Sequence, residues 1–242
     1  MRSLLSSVSQ YISLVRFSHT VFAMPFALIG FSLAVSTDEH QFSMRLLLLI
    51  ILCMIFARNA AMGFNRLADK KYDALNPRTQ TREIPSGVIS TKAATLFVII
   101  NSILFIITTA FINNLTLFLS PVALLIILGY SLAKRITSLC HFILGLGLSL
   151  APVGAYISVT GAFDTLPVLY SFIVLTWVGG FDIIYALQDD EFDRSNQLYS
   201  LPSAAGRKRA LIVSLSVHFL TFILVIAAGL LGKGGLFFWI GS

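Results

Sequence analysis

Charge is what this 242-residue chain has least of. Asp, Glu, Lys and Arg make up 12% of it, about half the share of an average soluble domain. Hydrophobic residues fill 57% and the mean hydropathy is +0.87. Together these exclude a disordered chain and argue against a water-soluble enzyme. Cysteine is scarce too. Cys53 and Cys140 both sit in apolar runs, which excludes a disulfide framework and marks them as packing residues. His19, His40, His141 and His218 are scattered and show no metal-ligand spacing. Walker loops, dinucleotide fingerprints, HExxH and CxxC are all missing, so ATP-driven, nicotinamide and zinc-protease chemistries lack support. The short alternating segments of a membrane β-barrel are absent as well. In lipid the remaining solution is a bundle of α-helices, whose backbone groups pair internally.

What the chain does have is apolar length. Runs long enough to span a bilayer occur at 19–36, 46–64, 93–112, 115–133, 139–160, 165–187 and 210–231. The expected fold is therefore all-α, a polytopic bundle of about seven complete spans. An eighth run opens at Leu236 shortly before Ser242. Residues 1–17 read as an amphipathic segment on the membrane surface, with Leu4, Leu5, Val8, Ile12 and Val15 at helical spacing. Residues 18–242 then form the transmembrane domain. The formal charge of +6 would suggest nucleic acid in a soluble protein. Here the basic residues fall in the N-terminal segment and after spans two, four and six, while Arg45 and Lys233 alone lie on the other side. The positive-inside rule puts the N-terminus and the long loops in the cytoplasm.

Acidic residues are equally uneven. Eight of the eleven are Asp69, Asp73 and Glu83, then Asp182, Asp189, Asp190, Glu191 and Asp193. Both groups follow an even-numbered span. A weak repeat surrounds them: an apolar helix, an Asp-x-x-x-Asp pair, a loop holding Pro85-Ser86 or Pro202-Ser203, a Gly and a new helix. Two half-bundles would each bring one acidic pair to a shared cavity. Asn65, Asp69 and Asp73 fall at i, i+4 and i+8, three oxygen donors on one helix face, with Arg58 deeper on the same stripe. Asp182, Tyr185, Asp189 and Asp193 are expected to share a face in the same way, and Asp190 and Glu191 to be solvated. A stripe of oxygen donors suits Mg²⁺, which takes one or two carboxylates and completes its shell with water and phosphate. A single pair at a membrane edge would read as ordinary loop charge. Two pairs of equal spacing weaken that reading, and Asp182 and Arg58 lie where a charge is costly and functional by default.

Tyr130-Ser131-Leu132-Ala133-Lys134-Arg135 closes span four. It reads either as an interfacial anchor or as a phosphate clamp that Arg82 could join. Carboxylates do not bind diphosphate directly. Divalent metal must bridge them, most simply two ions. Beside apolar helices, such a site fits an isoprenoid diphosphate. Metal and basic side chains would stabilise the leaving diphosphate, and apolar walls would keep water from the allylic cation. An electron-rich aromatic ring would then attack and lose a proton. An ion-coupled transporter would carry its acids nearer the bilayer midplane. A CDP-alcohol phosphotransferase would carry a continuous DG…AR motif that is not found here.

These residues resemble the UbiA superfamily of intramembrane prenyltransferases over nearly the whole chain. Arg16 to Phe26 resembles its opening helix, and Arg58 through Asn65, Asp69 and Asp73 to Gly87 its first signature. Tyr130 to Lys134 resembles its YxxxK motif, and Asp182 through Asp189 to Asp193 its second signature. The similarity is greatest to bacterial 4-hydroxybenzoate polyprenyltransferase-like members of quinone pathways. It implies Mg²⁺ as cofactor, with a polyprenyl diphosphate, an aromatic acid acceptor and membrane lipid as partners and no nucleic acid. It also implies a bacterial inner membrane protein with its site on the cytoplasmic side. Asp69, Asp73, Asp189 and Asp193 would be catalytic and, with Asn65, would hold the metal–diphosphate. Lys134, with Arg82 or Arg135, would bind phosphate. Arg58 would approach the acceptor, and Tyr130 and Asp182 complete the expected substrate site. The superfamily fold has nine spans, so the resemblance implies a chain short of the last helices.

Overall fold

A computed structural model describes residues 11, 13–15, 17–36 and 39–241. Most of the surface segment expected over 1–17, and Arg16, lie outside these. The described residues are helical throughout, with no strand. The helices are α1 (Phe17–Val35), α2 (Met44–Ala68), α3 (Lys70–Leu75), α4 (Thr91–Ala110), α5 (Asn114–Ala133), α6 (Cys140–Thr160), α7 (Thr165–Ala186), α8 (Asp190–Ser195), α9 (Leu201–Ala205), α10 (Arg207–Leu231) and α11 (Leu236–Gly241). Six of them, α2, α4, α5, α6, α7 and α10, are long and apolar enough to cross a membrane. The protein is an integral membrane protein. The run expected over 19–36 falls in α1, a 19-residue helix whose described apolar stretch is Phe22–Val35.

The chain divides into two compact units. One comprises Met1–Pro25 with Met44–Leu132, the other Phe26–Ser43 with Ala133–Ser242. Each therefore contains one copy of the repeat read in the sequence. In the first unit, α2 packs on α4, and Ala57, Phe105 and Leu124 form a buried cluster joining α2, α4 and α5. Helix α4 shows how the sequence sorts its faces. Ala94, Val98, Asn101, Phe105 and Thr108 are buried, whereas Leu96, Ile99, Ile100, Ile103 and Ile107 are exposed. The buried set recurs every three or four residues and the exposed set fills the opposite stripe, so one stripe meets protein and the other is available to lipid tails. Small and polar residues thus line the packed face, as expected where lipid already satisfies the apolar side chains.

In the second unit, α7 packs on both α6 and α10. Close approach there depends on missing side chains. A Cβ on Gly145 would lie 2.5 Å from the Leu175 carbonyl oxygen, and one on Gly30 would lie 1.9 Å from that of Pro152. Gly147, two residues on, has open space around it. Gly145→Ala should therefore force α6 from α7 at a cost of about 1–3 kcal/mol, lowering the melting midpoint in detergent by roughly 3–10 °C. Gly147→Ala should leave the midpoint unchanged. Differential scanning fluorimetry of the two variants checks the contrast.

Candidate functional site

The first acidic motif sits where α2 gives way to α3. The helical bonding continues through the junction: the Asp69 amide donates to Asn65 O at 2.9 Å and the Asp73 amide to Asp69 O at 2.8 Å. The i, i+4, i+8 stripe therefore survives, and Asn65 Nδ2 donates to Asp69 Oδ2 at 3.1 Å. Asp73 is buried. Arg82 Nη1 lies 2.7 Å from its Oδ1, while its Oδ2 is buried with no hydrogen-bond partner. Arg82 reaches back because the loop is folded on itself. The Arg78 amide donates to the Asn76 side chain, Thr79 Oγ1 donates to Asp73 O, and Ile84 and Ile89 plug a core cluster with Leu14 and Ala94. Tyr130 lies within electrostatic range of Arg58, Arg66 and Asp69, so the expected neighbours Arg58, Asn65, Asp69 and Tyr130 do gather in this unit. Arg66, also buried, is an addition that its place among the loop charges did not reveal.

The second motif is built differently from expectation. Helix α7 ends at Ala186, Leu187 and Gln188 turn, and α8 starts afresh at Asp190. Asp182 and Tyr185 share α7 and the Asp193 amide donates to Asp189 O at 2.8 Å, so each pair keeps its helical spacing while the turn shifts the register between the two pairs. Asp182 pairs with His141, whose Nδ1 is 2.7 Å from Asp182 Oδ2. Asp190 is also corrected. It is buried, with Arg207 Nη1 3.1 Å from its Oδ2, while Glu191 is exposed as expected. Asp193 is fully buried, and Lys134 Nζ lies 2.7 Å from its Oδ1. Burial pushes the Asp193 carboxyl above its ordinary value, against the pull of Lys134. A hydrogen bond from the Ser200 side chain pulls in the same direction as Lys134.

Each unit thus places the last Asp of its motif, buried, against a basic side chain, and Asp73 keeps Oδ2 without a hydrogen-bond partner. A buried carboxylate oxygen without a donor is a position for a cation. Among the described residues, no three His, Cys, Asp or Glu side chains converge to hold a metal unaided. The donor set consequently fits a hard divalent ion that draws part of its shell from phosphate and water. Arg135 also makes interactions within the fold. His141, buried at 1% exposure, is the residue the sequence concealed. Its one signal was that Asp182, deep in an apolar helix, required a partner.

Comparison with known proteins agrees with this architecture. The model of the UbiA prenyltransferase family matches residues 23–242. The 4-hydroxybenzoate octaprenyltransferase of Aliivibrio fischeri strain MJ11 is 30% identical over 80% of this chain and 67% of its own. The enzyme of that name from Yersinia enterocolitica is 27% identical over 81% of this chain and 68% of its own. Among solved structures, the apo UbiA homolog from Aeropyrum pernix K1 superposes with a TM-score of 0.85 at 34% identity, over 92% of this chain and 82% of that one. A UbiA homolog from Archaeoglobus fulgidus, bound to DMAPP and Mg²⁺, gives 0.75 at 25% identity, over 92% of this chain and 78% of that one. Two acid-bearing helix junctions, each ending in a buried carboxylate, and this likeness in sequence and fold lead to one conclusion: the chain belongs to the UbiA prenyltransferase family.

Proposed function

We propose that the protein transfers a polyprenyl group from a polyprenyl diphosphate to an aromatic acid of the 4-hydroxybenzoate type, in quinone biosynthesis, at the cytoplasmic side of a bacterial inner membrane. The observation that carries this is the pair of buried carboxylates, Asp73 and Asp193, each beside a basic side chain suited to phosphate. The names of the relatives supply the donor and acceptor class, and the Mg²⁺-bound homolog supports the metal.

In this reading Asn65, Asp69, Asp73, Asp189 and Asp193 hold Mg²⁺. When bound, the metal supplies charge stabilisation on the departing diphosphate. Arg82 and Lys134 offer charge-assisted hydrogen bonds to phosphate oxygens, with Arg135 a further basic group at the end of α5. Arg58 approaches the acceptor carboxylate from within the membrane, beside Tyr130. Asp182 faces the acceptor ring, and the apolar helices exclude water from the allylic cation. Residues 18–242 form the prenyltransferase domain in this proposal, with 1–17 as its interfacial segment.

Two expectations follow. Purified protein given a prenyl diphosphate and 4-hydroxybenzoate or a naphthoate-type acid should form a prenylated product, detected by mass. EDTA, Asp69→Ala or Asp189→Ala should each reduce it at least roughly 100-fold, as expected for loss of a metal-borne interaction. The second concerns stability. The fold raises the Asp193 pKa, so as pH rises the unfolded chain loses this proton first. Stability from this group is highest below the ordinary carboxylate range and falls until the folded value is passed. At neutral pH and without metal, Asp193→Asn should therefore melt higher than the parent while losing transfer activity.

A further inference from the structure

His141 has no part in the reading above, yet its ring is almost completely enclosed and both ring nitrogens are engaged. Nδ1 meets Asp182 Oδ2 at 2.7 Å. Nε2 meets the backbone N–H of Leu201 at 3.1 Å. An amide N–H only donates, so Nε2 must be the lone-pair nitrogen. The single ring proton then belongs to Nδ1 and points at the carboxylate. An imidazolium would set two N–H groups against each other. The contact is then an Nδ1–H donor on the Asp182 Oδ2 acceptor.

Asp182 keeps its second oxygen in reserve. Its side chain is 26% exposed, and Oδ1 takes no hydrogen bond from the described residues. The same ring is tied into the α6 entrance. The Tyr199 amide donates to Lys134 O at 2.7 Å, Cys140 Sγ donates to Tyr199 O at 3.4 Å, and the Leu198 amide donates to Asp193 O at 2.8 Å. Residues 198–201 thus strap α8 to the start of α6, and the strap ends on His141.

We propose that His141 is a positioning residue: a neutral imidazole, fixed as its Nδ1–H tautomer by the Leu201 amide, that orients the Asp182 carboxylate with Oδ1 free for the aromatic acceptor. This rests on the proposed function for the identity of the acceptor, while the tautomer stands on geometry alone. Asp182 held this way accepts a hydrogen bond from an acceptor hydroxyl. A carboxylate turning freely would lose that alignment. Gln can donate through its amide nitrogen and accept through its oxygen, and so can replace both contacts of the ring. Leu fills similar space and replaces neither.

The test uses the full chain in detergent. In ¹⁵N NMR of histidine-labelled protein at pH 7, the signals lost in His141→Gln should be those of a neutral ring protonated at Nδ1. A ring protonated at Nε2, or at both nitrogens, overturns the proposal without touching the proposed function. In steady-state assays with whichever aromatic acid is prenylated, His141→Leu should raise the acceptor KM or lower kcat by roughly 10- to 100-fold, the worth of a hydrogen bond to a charged group. The KM for prenyl diphosphate should stay within about twofold, and His141→Gln should recover most of the loss. Equal damage to both substrates, or no recovery with Gln in a variant that melts like the parent, overturns the proposal. A parent protein that binds prenyl diphosphate and prenylates no acid removes this role together with the proposed function.

Discussion

Carboxylates placed at the ends of apolar helices constrain everything else in this molecule. An ionised side chain withdrawn from water costs several kcal/mol unless it is paired. Each buried acid of the second signature has a partner brought from a distance in sequence, Lys134 for Asp193 and Arg207 for Asp190, and the part-exposed Asp182 has His141. Arg82 does the same for Asp73. The pairing is incomplete on Asp73, whose Oδ2 is buried without a hydrogen-bond partner, an oxygen that stability alone does not require and that a bound cation would use.

The repeat gives this arrangement twice by the same local means. In each unit a membrane-length helix ends, a six-residue helix carries the terminal Asp, and a loop returns to a new span. The loop must reverse tightly, and each uses a glycine at positive φ, +79° at Gly87 and +84° at Gly206. Other L-residues adopt that region only at a cost of order 1 kcal/mol or more. Serine caps a helix near each glycine, Ser90 opening the span after Gly87 and Ser200 opening the short α9 before Gly206. The Ser90 side chain accepts from the Ala93 amide, and the Ser200 side chain accepts from the Ser203 amide. The Pro-Ser and Gly signals of the sequence are these turns, and their purpose is to return a basic residue or a strap to the acid.

How much of this was legible followed from the range of the interactions. Six spans could be read directly, because lipid demands unbroken apolar length and nothing else in the chain competes with it. The first acidic motif was legible because helical bonding persists from Asn65 to Asp73, so sequence spacing equals spatial spacing. The second was not. The turn at Leu187–Gln188 breaks that equality, and neither its residues nor their spacing signals a break. Asp190 looked solvated because it stands in a run of charges. Only the folded chain brings Arg207 to it. His141 pairs across 41 residues, a distance no local pattern reports.

The central claim is that the acidic motifs take up a diphosphate through divalent metal. Calorimetric titration of the detergent-solubilised protein with geranyl thiodiphosphate, a donor analogue that resists ionisation, tests it without any acceptor. The account predicts binding that requires Mg²⁺ and that disappears in both Asp73→Ala and Asp193→Ala. Equally tight binding in EDTA, or binding unchanged in those two variants, would contradict it.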